Sequence, residues 1–160
     1  MTELREVLNR YAAWGEPHPV GDDNTALGNR LGLPASAEEI AAAWPDGVDP
    51  QAVELWRAVG TADLFIDVEY GQWGLHLLSP LESARRTAAE HEARPDDYAE
   101  GDIVLGEFLG DQELLVLSPG EGGTLVALPL DKRDQWYSAA PTLVGFLARY
   151  YEAHGDKFWE

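Results

Sequence analysis

The apolar positions fall into two textures, helical in the first third of the chain and strand-like later. Leu4, Val7, Leu8 and Tyr11 stand at i, i+3, i+4 and i+7, one face of a helix that ends at Trp14-Gly15. Glu16 to Asn24, with Pro17, Pro19 and Gly21, reads as an irregular loop. Ser36 and Glu39 have the spacing of a capping box, which starts a short helix through Ile40 to Trp44, and Pro45 stops it. Asp49 before Pro50 repeats the start signal, and Val53, Trp56 and Val59 line one face as far as Gly60.

From there the runs shorten. Leu64 to Val68 and Leu75 to Leu78 flank Tyr70-Gly71-Gln72-Trp73-Gly74 and predict a hairpin. Ser79-Pro80-Leu81-Glu82 is a second capping box, with a helix to about Glu92. Asp102–Phe108, Glu113–Ser118 and Thr124–Pro129 are short strands joined by glycine-containing turns, an antiparallel meander. A last helix starts at Pro141, carries Leu143, Phe146, Leu147, Tyr150 and Tyr151 on one face, and is capped by Gly155. The order predicts an α+β fold, a mostly antiparallel sheet with helices packed on it, and no linker or repeat divides residues 1–160.

Composition adds a strong sign. Eleven Lys and Arg against 29 Asp and Glu leave a net charge of −18. Residues 88–131 carry 11 acids and the single base Arg94, a net of −10. Such a surface repels nucleic acid and anionic membrane, attracts a basic partner and speeds encounter with it. The plainer reading is that the acid only aids solubility. There is no cysteine, and Thr2, Glu3 and Arg5 follow Met1 in place of an apolar run, so an intracellular, cytoplasmic protein is expected.

Catalytic signatures are few. His18, His76, His91 and His154 are scattered without metal-ligand spacing, so no metal or other cofactor is expected. No Gly-x-Ser-x-Gly elbow occurs, and Gly120-Glu121-Gly122-Gly123 lacks the Lys-Ser/Thr of a phosphate loop. Asp67 and Glu69 alternate on a strand, and with His76 they form the one set compatible with acid–base hydrolysis, provided all three face one cleft. The aromatic content is more suggestive. Trp44 and Trp56 lie on apolar helix faces, whereas Trp73 in a turn and Trp136 in a loop before the last helix are harder to bury. Exposed aromatics ringed by acid suit protein binding.

The second half resembles the SUKH superfamily, the Smi/Knr-type domain of bacterial immunity proteins and a fungal cell-wall regulator. The resemblance rests on Gly101 to Phe108 with Gly110-Asp111, the strand Glu113–Leu117, Gly123 to Leu130 with Asp131, and the closing Leu143, Phe146, Leu147 and Tyr150. Upstream, Asp49-Pro50, Leu55-Trp56, Gly60 and Leu64-Phe65 are similar to that family's helix-to-strand junction, and the match spans about 33–152. Leu33-Pro34 is followed by Ala-rich sequence where the family often has a Tyr and a Phe-Leu pair, and Asp46-Gly47 stands in place of Asn-Gly. The resemblance implies a non-catalytic domain that binds proteins, often a toxin nuclease.

Together these readings lead to an immunity protein of a bacterial polymorphic toxin system, one that neutralises a basic nuclease-type toxin. The expected contacts are Asp96, Asp97, Glu100, Asp111, Glu113 and Glu121, with Trp73 as an anchor. An intracellular adaptor of the same fold ranks second, and a small hydrolase using Asp67, Glu69 and His76 third.

Overall fold

Side-chain oxygens open four of the helices. The computed structural model describes residues 3–21, 24–121 and 123–160. Ser36 Oγ accepts from Glu39 N at the start of α2 (Ala37–Ala43), and Ser79 Oγ accepts from Glu82 N at the start of α4 (Pro80–Ala93), both as full capping boxes. Asp49 accepts from Gln51 N before α3 (Pro50–Ala58), and Thr142 from Gly145 N before α5 (Leu143–Glu152). The last helix therefore begins two residues after Pro141. The first, α1 (Glu3–Ala12), buries Leu4, Val7, Leu8 and Tyr11, the stripe its periodicity predicts.

The strands are β1 (His18–Pro19), β2 (Ala26–Leu31), β3 (Ala62–Asp67), β4 (Leu75–Leu77), β5 (Ile103–Phe108), β6 (Leu114–Ser118), β7 (Gly123–Ala127) and β8 (Tyr137–Ala140). They form one eight-stranded sheet in chain order, each strand antiparallel to the one before. The fold is thus α+β. The predicted hairpin and meander are one sheet joined across α4, and β1, β2 and β8 extend it at both edges. The residue pattern predicts a loop where β1 lies and a loop at Trp136 before the last helix. Trp136 instead closes a 3-10 turn (Arg133–Gln135) and lies buried.

Both sheet faces are covered where β6 runs, so Leu114 to Ser118 is buried at every position and Leu114 to Leu117 reads as a continuous apolar run. On one face Leu105, Leu115 and Leu117 join the main core with residues of α1, α3 and α5, among them Tyr11, Trp56 and Phe146. On the other, Val104, Leu114 and Val116 pack under Tyr98 and Trp136. Because β4 is short, the first half of β5 has α4 beside it. Ser83 Oγ donates to Val104 O at 2.6 Å and Val104 N donates to Thr87 Oγ1 at 2.9 Å, so two hydroxyls one helical turn apart stand in for a neighbouring strand. No helix among the described residues is long and apolar enough to cross a membrane.

The end of α5 is a Schellman turn. His154 N donates to Tyr151 O at 2.9 Å and Gly155 N to Tyr150 O at 3.1 Å. The residue that takes the left-handed cap position is His154 (φ 52), one place before the predicted Gly155. Gly155 (φ 85) is needed for a different reason as well: a Cβ there would lie 2.7 Å from Phe65 Cβ.

Candidate functional site

The predicted contact residues divide between the two ends of the sheet. Asp96, Asp97 and Glu100 lie in the loop before β5, whereas Asp111 and Glu113 lie in the turn after it. Six residues of β5 separate the groups, roughly 20 Å at ~3.3 Å per residue. The β6–β7 turn returns to the first end and carries Glu121, whose side chain lies outside the described residues. Asp96 and Glu100 are exposed.

The other acids have partners within the fold. Asp97 accepts from Arg94 Nε at 3.1 Å and from Arg133 N at 3.3 Å. Asp111 and the buried Glu113 both pair with Lys157 Nζ, the latter at 2.8 Å. Burial pulls the Lys157 pKa down, but hydrogen bonds to Asp111 and Glu113 more than offset it, so the ammonium is held above its ordinary range. Trp73 is half-buried: its Nε1 donates to Gly155 O at 3.1 Å and Lys157 lies 5.6 Å from its ring centroid. These contacts tie the hairpin turn to the C-terminal segment.

Trp136 is buried. Arg94 and Arg133 sit 5.5 and 5.4 Å from its ring centroid, and Tyr98 meets it edge-on. Arg133 pairs with the buried Asp102 and donates to Ser118 Oγ at 2.9 Å, and Ser118 donates to Asp102 Oδ1 at 2.6 Å. This network clips the β7–β8 segment across the second core.

The three residues of the hydrolase reading are not brought together. Asp67 is buried, and its Oδ1 accepts from Glu69 N at 3.0 Å and Tyr70 N at 3.1 Å to hold the hairpin turn. Glu69 is exposed. His76 sits across the sheet from Asp63, with Nδ1 2.7 Å from Asp63 Oδ1, and Glu82 Oε1 lies 3.8 Å from its Nε2. Hydrogen bonding from Ser79, helped by His76, holds the Glu82 carboxyl below its ordinary value. His76 and Asp67 line different depressions. Among the described residues no group of three His, Asp or Glu is arranged to hold a metal ion.

A groove of about 440 Å³ opens between the α2–α3 connection and α4, lined by Trp44, Val48, Ala84, Ala88, His91 and Ile103. Neither Lys nor Arg lines it, and the exposed acids Asp46, Glu92 and Glu100 stand next in sequence to its lining residues Gly47, His91 and Gly101. Trp44 stacks on Trp56 (centroids 6.4 Å, 25°), and its indole N–H is buried without an acceptor among the described residues. Ala84, Ala88 and His91 at i, i+4 and i+7 were the available signal, a helix face too small-chained to fill the space beside it.

No family model matches this chain, and no curated protein matches it either.

Proposed function

We propose that this chain is a non-catalytic binding domain of the SUKH type, an immunity protein that neutralises a basic, nuclease-type toxin inside a bacterial cell. The observation that carries the reading is where the two signs of charge sit. Arg86, Arg94, Arg133 and Lys157 are drawn into ion pairs within the fold, and the exposed bases, Arg5, Arg10, Arg30, Arg57, Arg85 and Lys132 among them, are outnumbered by exposed acids. Asp46, Glu54, Glu92, Asp96, Glu100 and Asp134 stand exposed. With a net charge of −18, the outer field is negative and directed at a cationic surface. A nuclease groove evolved to hold phosphates is such a surface, and carboxylates occupy it with the same sign of charge.

The test is capture followed by inhibition. The immobilised protein is exposed to lysate of its source organism at low salt, eluted with high salt, and the eluate assayed for nuclease activity. The expected result is one basic nuclease whose activity falls to background when the protein is added back in equimolar amount. An eluate without nuclease activity, or a nuclease indifferent to the added protein, overturns the proposal.

A further inference from the structure

Between α2 and α3 lies a depression of about 460 Å³ whose lining is unlike the rest of this acidic surface. Ile40, Ala41 and Trp44 line it from the α2 side, Val53 and Arg57 from α3, and Val48 from the connection between them. Four other depressions on the described residues each have two carboxylates in their lining. This one has none, although the chain carries 29 Asp and Glu. Arg57 is the single ionisable group of the lining. It is exposed and, among the described residues, makes no hydrogen bond or ion pair, not even with Glu54 one turn before it. Trp44 adds an indole N–H that is buried without an acceptor among the described residues. Both polar side-chain groups of the lining are therefore donors, and acceptors must come from whatever binds. Apolar walls with a few fixed polar groups are the usual make-up of a small-molecule site.

We infer that this depression binds a small organic anion, a monocarboxylate whose alkyl body lies against Ile40, Val48 and Val53 while its head meets the Arg57 guanidinium. The sign follows from the lining, since a guanidinium and a carboxylate pair through charge-assisted hydrogen bonds. A cation with the same body would find no carboxylate there. The ligand is small and singly charged because the protein carries −18. Repulsion by that field sums over every charge of an anionic membrane or an acidic protein, whereas a monovalent ligand meets it once. Nothing in this site depends on a basic toxin partner.

Sodium octanoate is the probe, and octanamide, with the same body and no charge, is the control. Each is titrated into isotopically labelled protein near pH 7, where the carboxylate is ionised. The methyl resonances of Ile40, Val48 and Val53 and the Trp44 indole N–H are followed by NMR. The expected result is saturable octanoate shifts at these residues with a Kd below about 10 mM, the range open to a ligand of this size. Octanamide should bind at least about threefold more weakly. Arg57→Met keeps much of the stem and removes the charge. It should weaken octanoate about tenfold and octanamide less than about twofold, whereas Arg57→Lys should stay within about threefold of the unaltered protein. Octanamide binding as tightly as octanoate overturns the anion site, as does equal weakening of both ligands by Arg57→Met. Absence of saturable shifts at these residues overturns the pocket altogether. The comparison of the two ligands on the unaltered protein needs no variant, and retained urea midpoints show that the variants fold.

Discussion

Asn29 Oδ1 accepts the backbone N–H of Phe65 at 2.6 Å, while Asn29 Nδ2 donates to Tyr11 O at 3.3 Å. One amide thus joins β2, β3 and the last turn of α1. Phe65 needs the partner because it sits at φ 49, where the β2–β3 register shifts between Gly28 and Arg30. The bulge turns the Phe65 ring into the main core against Tyr11, Trp14 and Tyr150. Asn29→Ala leaves the Phe65 N–H without this acceptor and should lower stability by about 1–3 kcal/mol in urea unfolding. Asn29→Asp keeps the acceptor and should lie between the two. An unchanged midpoint for the alanine variant would mean that packing alone holds the bulge.

Gly155 and Gly15 share a positive φ (85 and 86) but not their surroundings. A Cβ at 155 meets Phe65 Cβ at 2.7 Å, whereas one at 15 meets nothing within 4 Å. Gly15→Ala should cost about 1 kcal/mol, the conformational share alone. Gly155→Ala should cost about 1–3 kcal/mol more, since strain and collision act together. It should also shift the Trp73 emission, because Trp73 Nε1 donates to Gly155 O. Equal losses for the two variants would refute the collision.

Asp102 is buried and depends on Arg133 for its counter-charge. Arg133→Met removes that charge and should destabilise by about 3–5 kcal/mol. Adding Asp102→Asn to the same chain should restore part of the loss, because the remaining amide carries no charge. Chemical denaturation of the two single variants and the double variant measures the coupling. Additive losses would show that the two side chains act independently.

The Glu82 carboxyl is held below its ordinary value of 4.5 by Ser79 and, less strongly, His76. The unfolded chain therefore takes up this proton at a higher pH than the folded one does. The resulting stabilisation is present above pH 4.5 and disappears as pH falls through the lower folded value. Glu82→Gln should accordingly lose stability relative to the unaltered protein near pH 6, and the gap should close toward pH 3. A constant gap across that range would exclude the ionised form as the source.

Charge reversal should separate the two ends of the sheet. Asp96→Lys with Glu100→Lys alters exposed acids, so it should leave the unfolding midpoint in place, slow association with a captured basic partner about tenfold, and flatten its salt dependence. Glu113→Lys sets two cations together at Lys157 and should lower the midpoint instead. A pair at 96 and 100 that leaves the on-rate unchanged would sink the electrostatic account of partner binding at this end.

The sequence determined what local chemistry decides. Capping boxes at Ser36 and Ser79, proline after Asp49, the stripe of α1 and the glycine-punctuated strands each lie within a few residues of one another, and each reappears in the structure. The negative charge needs only a count. Tertiary structure decided what depends on distant partners. β2 contains Gly28, Asn29 and Arg30 and β8 is Tyr-Ser-Ala-Ala, neither an apolar alternation, and pairing with β3 and β7 supplies what propensity does not. Which acids face outward was likewise illegible, since Glu113 differs from Glu100 only because Lys157, far along the chain, folds back onto it. The groove beside α4 belongs to the same class: its walls come from within residues 44 to 49, 84 to 91 and 101 to 103 and from Pro119, and only packing brings them to one space.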